Sequence, residues 1–279
     1  MSERIILPHI SFFEKLDTTI QTSDGKTVEV WEFNYTNDEG ILSKWAKHFR
    51  EHYCKDSDID ELREDTGKSR KDYLISLKFP DIKDKPGPSV RSGDFGEILV
   101  ADFLEFIEKY EIFSRYTRYN NKINRNSSPQ GSDVIGFRFV DKNKRSSMDE
   151  LIIYEAKAKF VGNKKSAEKR LQSAINDSKK DKKYRIGGSL NAMKQRLIEL
   201  GMNIEVKKVG RFQNEAERAY KTINGAVALV SNSNYSSLIA SSANTNKHPF
   251  KKNLRLIIIK GNNMMNLVHD LYKRAADEA

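Results

Sequence analysis

The order of predicted elements gives an α/β fold, a mixed central sheet covered by helices. Three observations carry it. A helix-period segment at 93–110 precedes strand-like segments at 112–119, 132–140 and 151–160. The last two are joined by a short polar loop, and helix-forming segments follow. Two short apolar strands, 226–231 and 254–260, then lead to a closing helix. Consecutive strands joined by a tight loop, with helices before and after, indicate a sheet with helices packed on it.

Taken in order, residues 26–34 alternate apolar Val28, Val30 and Trp31/Phe33 with polar neighbours and predict a strand. Leu42, Trp45, Phe49 and Tyr53 recur at helical spacing and predict a helix over 41–53. Residues 72–79 read as another strand. Pro80, Pro86 and Pro88, half of the six prolines, fall within nine residues and mark a boundary. The chain is therefore divided into an N-terminal α/β region, 1–85, a possible partner-docking surface, and a larger domain, 86–279. In the latter, Phe95, Leu99, Phe103 and Phe106 fall on one helix face. Residues 120–130 are polar and turn-rich, and 141–149 form a hairpin loop. Helices are predicted at 164–180, 189–201 (stopped by Gly201), 212–223 and 265–276.

The 279 residues are 38% hydrophobic and 32% charged, which is enough apolar material for a packed core and rules out wholesale disorder. The best apolar runs are far short of the roughly 20 residues that span a bilayer. Pro8 cuts short the apolar Ile5-Ile6-Leu7, so a secretory signal is not expected. Cys54 is the single cysteine, which excludes an intrachain disulfide framework. A cytoplasmic protein with no membrane partner is expected. The net charge of +10 is unevenly placed. Lys164, Lys165, Lys169, Arg170, Lys179, Lys180, Lys182 and Lys183 form a basic stretch, suited either to a polyanion such as DNA or to a solvated helix face.

The chemistry lies in Gly131-Ser132-Asp133 and Glu155-Ala156-Lys157. Alternate side chains of a strand share a face, so Glu155 and Lys157 point the same way and Ala156 points into packing. An acid at the start of one strand and an acid-x-Lys on its hairpin partner can converge at one end of a sheet. Phosphodiester hydrolysis needs such a set. Hard carboxylate oxygens hold a divalent cation, the cation offsets phosphate charge and acidifies water, and a nearby ammonium stabilises developing negative charge. Glu97, near the start of the predicted helix, is a third candidate ligand, or else an acid answering the helix dipole. The Asp…Glu-x-Lys pattern is short for so charged a chain. It gains weight because each half sits in a predicted strand and a basic helix follows. Exposed strand-edge charges are the competing account.

The strings GDFGEILVADFLE, GSDVIGF and YEAKAKF resemble the core of the PD-(D/E)xK nuclease superfamily. More narrowly they are similar to the HamA family, the nuclease subunits of the Hachiman anti-phage defence system. The resemblance is sharpest over 90–160 and looser over the whole length, and Ser132 stands where the motif has Pro. It implies a restriction-endonuclease-like core and a DNase requiring Mg²⁺, with Mn²⁺ as a possible substitute. It also implies a HamB-like helicase partner. It maps metal ligands onto Glu97, Asp133 and Glu155 and the catalytic lysine onto Lys157, with Gln172 or Lys169 as possible auxiliaries.

Two other readings stay open. A non-catalytic DNA-binding or helicase-partner subunit would keep the fold alone. A zinc peptidase is the other, because His48-Phe49-Arg50-Glu51-His52 fits H-x-x-E-H, in which two His at i, i+4 bind zinc and Glu51 acts as base. The acidic run at 56–60 lacks the glycine of a calcium loop. Gly187-Gly188 is not followed by the Lys-Ser/Thr of a phosphate loop.

Overall fold

The computed structural model describes residues 7–180, 183–217 and 219–279. Eight strands form one mixed sheet in the order β1-β3-β8-β7-β6-β5-β4, with β2 paired to β3. They are β1 (Phe13–Lys15), β2 (Ile20–Gln21), β3 (Thr27–Phe33), β4 (Glu111–Ile112), β5 (Val134–Arg138), β6 (Glu150–Lys159), β7 (Lys221–Ser231) and β8 (Leu254–Gly261). The central four, β3, β8, β7 and β6, run parallel. The β5–β6 hairpin and β4 extend the sheet antiparallel on one side, and β1 does so on the other. The helices are α1 (Glu39–Glu51), α2 (Ile59–Arg63), α3 (Arg70–Tyr73), α4 (Gly87–Asp102), α5 (Ser114–Thr117) and α6 (Lys164–Glu168), followed by α7 (Arg170–Ser178), α8 (Lys183–Glu199), α9 (Asn203–Gly210), α10 (Leu238–Ser241) and α11 (Met264–Asp277).

The expected mixed α/β architecture is present, and the side-chain period of two sorts its core. Ile152, Tyr154, Val227, Leu229, Ile257 and Ile259 bury one face of the sheet against α1, α4 and α11. The opposite face is covered in two patches. Ala226, Ala228 and Ile258 pack with α7 and α10, while Ile135, Leu151 and Ile153 pack with α8 and α9. Tyr154 lies in register with Gly225, where a Cβ would come within 2.1 Å of the tyrosine ring. Only glycine lets the two strands pair across that ring.

Residues before and after the proline cluster share this sheet, since β3 pairs with β8 and α1 packs on α11. Three segments differ from the sequence expectation. Residues 72–79 are helical, with α3 running into a π-helical turn, Leu74–Lys78. Their alternation is not a buried face, because Ile75 and Leu77 are 40% and 46% exposed while Leu74 is buried. The Ser69 hydroxyl also caps this helix by accepting from the Asp72 amide. Residues 112–119 supply only the end of β4 before turning into α5. Of 212–223, Phe212 closes the turn after α9 against Phe137 and Tyr220, and β7 already begins at Lys221. There, pairing of Thr222 and Ile223 with β6 overrides the helical pattern.

Candidate active site at the β5–β6 hairpin

Asp133 is the residue before β5. The register Val134↔Tyr154 sets it beside the middle of β6. There its Oδ2 accepts a hydrogen bond from the Ala156 amide at 3.0 Å. Its carboxylate is thus anchored between Glu155 and Lys157. Gly131 makes the approach possible, with φ at 94° and a Cβ position only 3.0 Å from Ser189 Oγ. Ala156 packs into the core on the α4 side. Glu155 and Lys157 take the opposite face, in register with Ala226 and Ala228, whose methyls leave room for long polar side chains. Lys157 Nζ lies 2.9 Å from Asp177 of α7 and 3.8 Å from Glu155.

Helix α4 supplies the third carboxylate. It continues into a π-helical turn, Phe103–Ile107, and carries four buried acids over this span: Asp94, Glu97, Asp102 and Glu105. Three of them take a base from the segment after β4. Asp94 pairs with Lys122, Glu97 with Arg118 and Glu105 with Arg115. Arg118 does more than pair. Its Nε donates to Glu97 at 2.9 Å, one terminal nitrogen donates to Asp133 at 3.0 Å, and the other donates to the Ser132 carbonyl at 2.7 Å. One guanidinium therefore gathers two of the three proposed ligands. Arg185 of α8 donates to Glu155 at 3.2 Å and to the Gly131 carbonyl.

A HamA family model matches residues 10–275. The chain belongs to the HamA family. No curated protein matches it.

The electrostatics of this HamA-family site follow from crowding. Burial pushes Glu97 up to about 7 against the pull of Arg118, and Asp133 and Asp94 add to the rise. Burial likewise raises Asp94, against Lys122. Lys157 moves the other way from what its burial favours, because Asp177, then Asp133 and Glu155, hold it protonated above the usual lysine range.

A cleft of about 760 Å³ reaches Asp133, but not Glu97, Glu155 or Lys157, and is lined by Arg118, Lys122, Arg185, Arg196 and Ser189, among others. Four cations among the lining residues suit an anionic ligand. Among the sequence candidates, Lys164, Lys165, Lys169 and Lys180 are exposed on α6, α7 and their flanks, and Arg170 and Lys179 are half-buried. Lys180 is paired with Asp177. Lys182 and the side chain of Lys183 lie outside the described residues. Gln172 is engaged elsewhere in the fold, accepting from the Asn244 amide at 2.7 Å and donating to Asn176.

Sequence reading missed Arg118, Arg185 and Asp177. The first had a legible signal. Arg115, Arg118 and Lys122 recur at three and four residues, the spacing of one helical face, across a segment read as a strand (112–119) and the polar, turn-rich stretch that follows it.

The H-x-x-E-H segment lies at the end of α1 and just after it. Glu51 accepts from the Asp56 amide at 2.9 Å, while His48 Nε2 bonds Asp102 at 2.8 Å and faces His52 Nε2 at 3.4 Å. His52 and Asp102 are buried in the core, His52 against Tyr119 and His48 against Phe106, and Glu51 is turned to the Asp56 amide, so the general-base arrangement of a peptidase is not assembled. Among the described residues no helix is long and apolar enough to cross a membrane.

Proposed function

We propose that this HamA-family protein is a metal-dependent deoxyribonuclease, the effector of a Hachiman-type anti-phage complex acting with a HamB-like helicase partner. Family membership supports the defence context. The observation that carries the chemistry is the anchoring of Asp133 on the Ala156 amide, between Glu155 and Lys157.

The donor type, carboxylate oxygen, suits a hard divalent cation, although in this structure the three carboxylates do not lie within 4.8 Å of one another and are held by Arg118 and Arg185. Glu97 and Asp133 already converge on one cationic group, Arg118, and their oxygens are the ligand type that Mg²⁺ or Mn²⁺ takes. Asp133, Glu155 and Glu97 would hold the ion. When bound, it supplies charge neutralisation at the phosphate and a lowered pKa for attacking water. The chain's own residues do the rest. Lys157, held protonated by Asp177, offers its ammonium to the charge developing on the phosphate. Arg185 and Arg118 stand on the cleft wall where a neighbouring phosphate can exchange with their carboxylate partners. Lys164, Lys165, Lys169, Arg170, Lys179, Lys180, Lys182 and Lys183 extend the basic surface for backbone contacts with little sequence reading.

A DNA-binding subunit without cleavage is the second reading. It is favoured by the pairing of all three carboxylates with arginines. One experiment separates the two. The purified chain is incubated with circular and linear DNA and Mg²⁺, alone and with its helicase. Cleavage that vanishes in Asp133→Ala and Glu155→Ala, with circular dichroism unchanged, is the expected result. Lys157→Ala should lose about 10²–10³ in single-turnover rate. Wild-type rates in either carboxylate variant would overturn the assignment. Tight DNA binding with no cleavage under any metal would establish the second reading.

A further inference from the structure

The cluster His48, His52 and Asp102 belongs to no part of the hairpin site. One ligand atom from each lies within 4.8 Å of the other two. Among the described residues no other trio of His, Cys, Asp or Glu meets that condition, the hairpin carboxylates included. His52 and Asp102 are each 2% exposed, and His48 keeps an 11% exposed side chain as a way in. His48 and His52 stand one helical turn apart, so their rings meet on one face.

Proton counting shows what the metal-free cluster lacks. His48 Nε2 must donate to Asp102 Oδ1, because the carboxylate only accepts. That nitrogen then has no lone pair for His52 Nε2, 3.4 Å away. If His52 carries its proton on Nε2, two N–H groups face each other. If it carries it on Nδ1, that buried nitrogen has no partner, and Nε2 receives only a share of the His48 proton. Neither tautomer satisfies the pair within the protein. A metal ion taking both Nε2 lone pairs removes the conflict between the two facing nitrogens; the His52 proton then sits on Nδ1, which has no partner within the protein in either case. Two imidazole nitrogens at the usual zinc–nitrogen distance on a tetrahedron stand about 3.3 Å apart, close to the 3.4 Å found. The 2.8 Å between His48 and Asp102 is a hydrogen bond that gives way as the ion replaces its proton.

We infer that His48 Nε2, His52 Nε2 and Asp102 Oδ1 form a zinc site separate from the hairpin carboxylates. His9 is its positioning residue. It bonds Asp102 Oδ2 at 2.9 Å and stacks on Trp45 with ring centroids 4.5 Å apart, which leaves Oδ1 for the metal. Two imidazoles and one carboxylate are a borderline set that suits Zn²⁺ over Mg²⁺. The ion would tie α1 to the C-terminal end of α4, two elements that are far apart in sequence.

The test uses the full chain. Purified protein is loaded with Zn²⁺, dialysed against excess Mg²⁺, and its metal measured by plasma mass spectrometry. One zinc per chain is expected, retained in Asp133→Ala and Glu155→Ala, and lost in His52→Gln and Asp102→Asn. Zinc loading should also raise the melting temperature of wild type. Cobalt is the second readout, which needs no variant to fold: Co²⁺-loaded wild type should show the intense visible bands of tetrahedral nitrogen and oxygen coordination. No retained zinc, octahedral cobalt bands, or loss of zinc in the hairpin variants instead would overturn the site. The nuclease reading stands or falls separately, on cleavage.

Discussion

Glu97 and Asp102 lie on one helix, five residues apart, both buried, and their acidities move in opposite directions. Glu97 rises to about 7 because burial is joined by the charges of Asp133 and Asp94, and Arg118 offsets only part of this. Asp102 is equally buried, yet His48 and His9 overcome that penalty and hold it far below the usual carboxylate range. Burial alone therefore does not set the charge of a carboxylate. Its neighbours do. Asp94 and Glu97 in the middle of α4, with Asp133 facing them, crowd three acids around Arg118 and Lys122, which leave Asp94 and Glu97 raised all the same. The acid at the C-terminal end already has two close partners.

The largest effect that would break this contrast is on stability. Asp102→Asn removes one partner of a buried pair and should cost about 3–5 kcal/mol. Glu97→Gln, measured at pH 7 in chelator, should cost less than about 1 kcal/mol, since a group titrating near 7 is already half neutral. The pH sign follows. Glu97 keeps its proton in the folded chain above its ordinary value, so it costs stability progressively as pH rises from about 4.5 to 7. Glu97→Gln should remove that slope in urea denaturation. Equal costs for the two variants would show that burial, and not the neighbours, decides.

Arg118→Ala sharpens the same contrast. It leaves Glu97 and Asp133 without their shared cation, so chelator-treated variant should be less stable than wild type, by about 3 kcal/mol. Mg²⁺ should restore more stability to it than to wild type, because the ion no longer competes with the guanidinium. Equal stabilisation by Mg²⁺, followed by thermal melting, would place the ion elsewhere.

Smaller effects are expected beyond the helix. Replacing Lys179, Lys180, Lys182 and Lys183 by Gln should flatten the salt dependence of DNA binding, by about 0.9 in log–log slope per lost phosphate contact. An unchanged slope would make this stretch a solvated face. His248 calibrates the comparison from outside both clusters. Buried beside Ser178, it is held down at about 4, by burial and then by Lys179 and Lys26. The unfolded chain takes up its proton near 6.5 while the folded chain refuses it, so stability is lost as pH falls from about 6.5 toward 4. His248→Gln should remove this slope.

Much of this was legible in the sequence, for physical reasons. Strands β5 to β8 announce themselves by β-branched and apolar runs, and the period of two already sets Glu155 and Lys157 on one face with Ala156 opposite. Helix α4 was legible from Phe95, Leu99 and Phe103. What stayed hidden depends on pairing at a distance. The alternation Tyr73, Ile75, Leu77, Phe79 reads as a strand, and only the cap at Ser69 and the exposure of Ile75 and Leu77 reveal a helix. Arg118 could be seen as a base, but not as the group that gathers Glu97 and Asp133, because that needs a loop laid along α4. His9 and Asp102 carry no local motif at all. They meet His48 only once three segments pack together.

The placement of β8 has a consequence for how the protein is made. It is the last of the described strands, yet it lies inside the sheet, between β7 and β3. Its Arg255 reaches Glu29, 226 residues earlier. During synthesis β3 waits without its parallel neighbour while the chain from Glu29 on to Arg255, 226 residues later, is translated. The sheet closes only once β8 has emerged, so assembly of the fold is dominated by contacts distant in sequence. A message truncated before residue 254 would yield a chain with an unpaired inner edge, exposed to aggregation and proteolysis.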